Sequence, residues 1–194
     1  MVNKLTFDEN KHQYSVNGLV LPSVTQIMKP LTQELYANID HKTLNAAASR
    51  GKSVHYATEL YDTFGVEEIE EENKGYLAAY KKFKQDYSVK ILEVEKQLFH
   101  PLLYYAGTLD RIVEINGKRV LLDIKTTEKV HKNLVEIQVS AYQEMALKNG
   151  IEVDSLAVLK LNADGTYQFV YLNNNIDMFM YLYKIHMFKK RYMH

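Results

Sequence analysis

The chain has 194 residues, 46% hydrophobic and 25% charged, and its 24 Lys and Arg balance 24 Asp and Glu. That composition excludes a disordered or fibrous chain, and zero net charge means that nucleic-acid binding has to rest on local basic patches. The absence of cysteine excludes disulfides, zinc–thiolate sites and iron–sulfur clusters, and fits a reducing cytoplasm.

The first residues lack the apolar core of a signal peptide. Short strands are predicted at Leu5–Phe7 and Gln13–Val16, a turn at Asn17-Gly18, and a third strand at Leu19–Leu21. Ser23-Val-Thr-Gln26 has the form of a capping box, so a helix starts near Val24, and Pro30 ends or bends it. This opening piece reads as an edge or lid element, residues 4–22, of one domain that spans 1–194.

A long helix is predicted from Thr43 to Phe64, with Val54, Ala57, Tyr61 and Phe64 on its core stripe. His55 and Glu59, at i and i+4, share the neighbouring face, and Gly51 lies one turn earlier. A His–Glu pair there is either partly exposed or part of a metal site. Gly51-Lys52-Ser53 resembles the end of a phosphate-binding P-loop, but Ala46 stands where that motif needs glycine, so the P-loop is rejected. An acidic run, Glu67–Glu72, leads into a second helix over Asn73–Tyr87. Its Tyr76, Tyr80 and Tyr87 with Lys81, Lys82 and Lys84 fit either a face that tracks a nucleic-acid backbone or, the preferred reading, a solvated face over an aromatic core stripe.

Ile91–Phe99 alternates as a strand with Glu95 at its centre. Two further strands, Thr108–Ile115 and Lys118–Thr126, flank Asn116-Gly117, the dipeptide of a two-residue type I′ hairpin turn. That turn sets the register. Ile115 faces Lys118, Glu114 faces Arg119, Val113 faces Val120, and at the open end Asp110 falls opposite Asp123. Carboxylates in that position have β-carbons about 5 Å apart and repel. Either Lys125, on the same face as Asp123, neutralises one of them, or a divalent metal sits between them.

A helix over Val130–Asn149 is closed by Gly150, with Leu134, Ile137, Ala141 and Met145 toward the core and Gln138 and Tyr142 beside them. Ser155–Leu161 and Thr166–Leu172 form another hairpin. A last helix, Ile176–Tyr192, carries Met178, Phe179, Leu182, Ile185 and Met187 and ends in three basic residues. Its apolar run is too short and too charged to span a bilayer. The order of elements is that of a mixed α/β domain whose central sheet is covered by helices.

Taken together, GKSVHYATE with His55, GTLDRI with Asp110, LLDIKTT with Asp123 and Lys125, and QVSAY with Gln138 and Tyr142 resemble the PD-(D/E)xK nuclease superfamily in its RecB-like branch. YSVNGLVLPSVTQIM is similar to the start of phage-type exonucleases and of mitochondrial genome maintenance exonucleases. The resemblance covers Tyr14 to Tyr142. It implies a restriction-endonuclease-like fold with a mixed central sheet flanked by helices. It also implies a metal-dependent DNA exonuclease of phage-type recombination, replication or repair. Implied ligands for Mg²⁺ or Mn²⁺ are Asp110, Asp123, His55 and the backbone carbonyl of Ile124. Glu59 is a further candidate, either at a second metal or hydrogen-bonded to His55, and Glu95 is a third. Asp110, Asp123 and Lys125, supported by Gln138 and Tyr142, would carry the chemistry. DNA with free ends is the expected partner, with a single-strand annealing or replication protein as a candidate associate, in a bacterial or phage-host cytoplasm. The alternatives are a structure-specific endonuclease and a non-catalytic nucleic-acid-binding module.

Overall fold

A computed structural model describes residues 4–193. Among the described residues eight strands and six α-helices follow in order: β1 (Leu5–Asp8), β2 (Gln13–Val16), β3 (Leu19–Leu21), α1 (Val24–Ile27), α2 (Lys29–Leu35) and α3 (His41–Phe64). Then come α4 (Lys74–Asp86), β4 (Lys90–Phe99), β5 (Ala106–Ile115), β6 (Lys118–Lys125), α5 (Lys132–Lys148), β7 (Ser155–Leu161), β8 (Tyr167–Leu172) and α6 (Ile176–Tyr192).

The larger sheet has the order β4-β5-β6-β7-β8. Only the β6–β7 pair is parallel, because α5 crosses over between those strands; the other neighbours are antiparallel. Alternation along the buried strands loads both faces with apolar side chains. On β6, Leu121 joins Leu109, Ile112 and Val158 under α1, α5 and α6. Val120, Leu122 and Ile124 instead pack with Val113, Ala157 and Leu159 against Val54 of α3 and Tyr80 and Phe83 of α4. The result is a mixed sheet flanked by helices, the expected restriction-endonuclease-like class. β1–β3 form a separate small sheet whose Tyr14, Val16 and Leu21 pack on Phe99 and Ala106.

Both Asn-Gly turns take the left-handed conformation that a type I′ hairpin requires, with φ of 50° and 83° at Asn17-Gly18 and 51° and 74° at Asn116-Gly117. The β5–β6 register is the predicted one from Ile115↔Lys118 to Arg111↔Leu122. Glu114 faces Arg119 as expected, but its ion-pair partner is Lys90 on the other neighbouring strand. The capping box at Ser23 and Gln26 is formed in full.

The helix that starts at Val24 ends at Ile27, just before Pro30, as expected; the proline stands in the first turn of the next helix, α2, where its missing N–H costs nothing. One expectation is corrected. Phe64, expected in the core, is exposed in the last turn of α3, just before the left-handed Gly65. On α6 only Phe179 and Leu182 are buried, whereas Met178, Ile185 and Met187 face outward.

Candidate active site

Five elements supply the candidate side chains. α3 carries His55 and Glu59, β4 carries Glu95, β5 carries Asp110, β6 carries Asp123 and Lys125, and α5 carries Gln138 and Tyr142. The β5–β6 ladder stops at Arg111↔Leu122, one step short of the two aspartates. Beyond it, Asp110 Oδ2 accepts a hydrogen bond from the Ile124 N–H at 2.7 Å.

His55 reaches across to this strand end. Its Nε2 lies 3.1 Å from the Ile124 carbonyl and, in the tautomer that carries hydrogen there, donates to it. Its Nδ1 then faces two carboxylates, Glu95 Oε1 at 3.4 Å and Asp110 Oδ1 at 3.7 Å. One ligand atom from each of His55, Glu95 and Asp110 lies within 4.8 Å of the others, a group that could hold a metal ion. Hard oxygens with one imidazole suit Mg²⁺ or Mn²⁺.

Asp123 sits beside this group, almost wholly buried, and meets Lys125 Nζ at 2.9 Å from Oδ1 and 2.7 Å from Oδ2. The Oδ2 contact is an ion contact without hydrogen-bond geometry, so this buried oxygen lacks a donor among the described residues. Its charge is met by the Lys125 ammonium at 2.7 Å, next to the ligand group. Of the two possibilities open at the hairpin end, the lysine neutralises Asp123, and the potential metal ligands gather around Asp110.

Glu59 stays outside the three-residue group and lines the neighbouring cleft wall. His55 therefore takes its carboxylate partner from β4 rather than from its own helix. Glu95 has φ of +43°, in the left-handed region, within a strand whose register shifts between Ile91 and Glu93. Period-two alternation cannot say where such a side chain points.

A second charged set lies behind Glu95. Arg111, on β5, is fully buried. It binds Asp62 Oδ2 of α3 through Nε at 2.7 Å, Glu95 Oε1 through Nη1 at 3.0 Å and Thr58 Oγ1 through Nη2 at 3.1 Å. Asp62 also accepts from the Tyr80 hydroxyl and the Lys84 ammonium of α4. Sequence reasoning missed both Arg111 and Asp62. Its one available signal was parity, since Arg111 shares its strand face with the buried Val113 and Ile115.

Gln138 Nε2 donates to the Tyr142 hydroxyl at 3.2 Å. A β-carbon at Gly107 would lie 2.7 Å from Tyr142 Cε1, so glycine there lets the ring rest against β5. Tyr142 lines a cleft of about 680 Å³ together with Glu95, Asp110, Lys52 and, from the small sheet and its first turn, Phe7, Tyr14 and His12. The Tyr14 hydroxyl is 2.8 Å from Thr108 Oγ1, which ties that sheet to the strand bearing Asp110. On the other side of Lys125, a cleft of about 420 Å³ is lined by Tyr36, Lys129, His131 and Gln138.

The electrostatics follow from burial against charge. Burial disfavours charged His55, but the Asp110 charge and the Glu95 hydrogen bond outweigh it and raise its pKa from 6.5 to about 9. Burial pushes Asp123 up to about 6 against the pull of Lys125, and Asp110 adds to the rise. Lys125 is itself held above its ordinary value, because Asp123 and Asp110 outweigh its desolvation. Both members of that pair are charged at neutral pH. Burial raises the Tyr142 hydroxyl, which stays protonated.

A raised histidine pKa stabilises the fold fully below its unfolded value of 6.5, and that contribution is lost as pH rises through about 9. In EDTA, the wild-type melting temperature is therefore expected to fall between pH 6.5 and 9 more steeply than that of His55→Gln. Parallel melting curves for the two proteins would assign the pH dependence to another group.

No family model matches the chain, and no curated protein does. Among solved structures, the chain is similar to SSO0001 at 15% identity and a TM-score of 0.42, over 85% of this chain and 72% of that one. It is also similar to an alkaline exonuclease, LHK-Exo, from Laribacter hongkongensis, at 12% identity and a TM-score of 0.40, over 71% of this chain and 78% of that one. The complex of LHK-Exo with dAMP aligns at 12% identity and a TM-score of 0.41, over 88% and 92% of the two chains. At identities of 12 to 15%, the activity of this chain has to be argued from its own residues.

Proposed function

We propose that the chain is a divalent-metal-dependent deoxyribonuclease, an exonuclease of phage-type recombination, replication or repair, folded as one domain with β1–β3 as a wall of its cleft. The observation that carries this reading is the convergence of His55, Glu95 and Asp110 beside the buried Asp123–Lys125 pair. Mg²⁺ or Mn²⁺ bound there would lower the pKa of a water and neutralise charge on the phosphodiester. His55 Nδ1, Glu95 and Asp110 are its ligands in this reading, with Asp123 Oδ2 beside them.

The chain's own groups do the rest. Lys125 Nζ holds the scissile phosphate or the attacking water, and Asp123 keeps the ammonium charged and aimed. Tyr142, protonated and oriented by Gln138, donates its hydroxyl proton in a hydrogen bond to a phosphate oxygen. Lys129 offers positive charge, and His131 a ring N–H, to the backbone of the bound strand along the second cleft.

The test is incubation of end-labelled linear and covalently closed circular DNA, single- and double-stranded, with Mg²⁺, Mn²⁺ or excess EDTA. Cleavage of linear DNA that requires the metal is expected. Loss of closed circles at the same rate moves the assignment to endonuclease. No cleavage of any substrate with either metal favours a binding module that retains the fold.

A further inference from the structure

An uncovered run of large apolar side chains lies on α6. Met178, Tyr181, Ile185, Phe188 and Tyr192 follow one another at spacings of three, four, three and four, the a/d pattern of a coiled-coil seam. All five are exposed, from 41% for Met178 to 61% for Tyr181 and Tyr192. The core contacts of the same helix are made by Phe179 and Leu182. At about 100° per residue those two lie to one side of the seam, Leu182 at its edge and Phe179 further round. α6 therefore carries a broad apolar band of which the fold covers one side.

One border of the seam carries a charge at every seventh residue: Asp177, Lys184 and Arg191. Lys189 and Lys190 add to the positive end. Among the described residues none of these five forms a salt bridge; Lys184 and Arg191 rest instead over the rings of Tyr181 and Tyr192.

We infer that the seam is a homodimer interface, occupied by α6 of a second copy of this chain running antiparallel about a two-fold axis near Ile185. The charges choose both occupant and direction. Antiparallel pairing brings Asp177 of each copy beside Arg191 of its mate, twice over, and opposes the two helix dipoles favourably. Parallel pairing would bring the two basic ends together. The antiparallel arrangement has one cost, since Lys184 approaches its own symmetry mate near the axis. The self-complementary surface closes on itself as a two-fold pair rather than growing into a filament. A seam of 14 residues' rise, about 21 Å, is a small interface. A dimer that dissociates at micromolar concentration is expected.

Because the chain has no cysteine, single reporters can read the geometry directly. Sedimentation over a range of concentrations should show a mass approaching twice 22.6 kDa, and Phe188→Glu should return it to monomer with an unchanged melting temperature. Under mild oxidation Ile185→Cys should cross-link to itself. Met178→Cys, about 20 Å from its mate in this arrangement, should not. A mixture of Met178→Cys and Tyr192→Cys should give the mixed species. A monomer at several hundred micromolar would overturn the proposal, as would a dimer that survives Phe188→Glu. Self-cross-linking of Met178→Cys as fast as that of Ile185→Cys would mean a parallel pair and would overturn it too.

Discussion

Asp110→Asn is expected to abolish both metal-dependent cleavage and the stabilisation that Mn²⁺ confers, while lowering the stability of the metal-free protein. The hairpin register alone suggests the opposite sign for the last effect, because it sets Asp110 against Asp123 with nothing between them. The tertiary structure has already relieved that repulsion. Lys125 lies against Asp123, and the His55 cation and the Ile124 N–H lie against Asp110. Asparagine can still accept from Ile124, but it gives up a charge-assisted hydrogen bond for a neutral one and loses the attraction to His55. The difference between such bonds is on the order of 1 kcal/mol. An ion present at 100 times its Kd adds about 2.7 kcal/mol to the wild type by binding only the folded state, and the variant should lose this. Cleavage should fall by more than the roughly 10–100-fold typical of losing a supporting partner of a ligand. Melts in EDTA and in Mn²⁺, with a gel assay of linear DNA, read all three. Mn²⁺ stabilisation of wild-type size in the variant would mean that the ion sits away from Asp110.

Arg111→Met should produce the largest loss of stability, about 3–5 kcal/mol, because it breaks a buried ion pair from one side. Asp62 has no exposed side-chain surface and would keep only Lys84 and Tyr80 as partners, while Glu95 would lose the donor at 3.0 Å that restrains it. Arg111→Lys is no substitute, since one ammonium cannot serve Asp62, Glu95 and Thr58 from the positions of a planar fork. Adding Asp62→Leu to Arg111→Met should recover a substantial part of the loss, because the uncompensated buried carboxylate goes with it. Urea unfolding of the single and double variants in EDTA measures this apart from any metal. A single-variant cost under about 1 kcal/mol, well below the range for a broken buried pair, would mean that the site relaxes and admits water.

The strands around both Asn-Gly turns, the register down to Arg111↔Leu122, the capping box at Ser23 and the long α3 were all legible in the amino-acid order. These features depend on neighbours within a few residues, and local periodicity and turn geometry govern them. The proximity of His55 to the Asp110 strand could be expected only through a family resemblance. Which carboxylate completes the group was not legible. Helical spacing pointed to Glu59, four residues from His55, whereas the structure brings in Glu95 from a strand 40 residues away. A register shift and a left-handed backbone at Glu95 break the alternation that would have aimed it. The burial of Arg111 depended likewise on α3 and α4 docking Asp62, Tyr80 and Lys84 against β5. Hydrogen bonds along the backbone and apolar periodicity are short-range and can be counted from the sequence. A buried charge is tolerated only where distant segments bring it a partner, so tertiary packing alone decided where the charged residues of this protein meet.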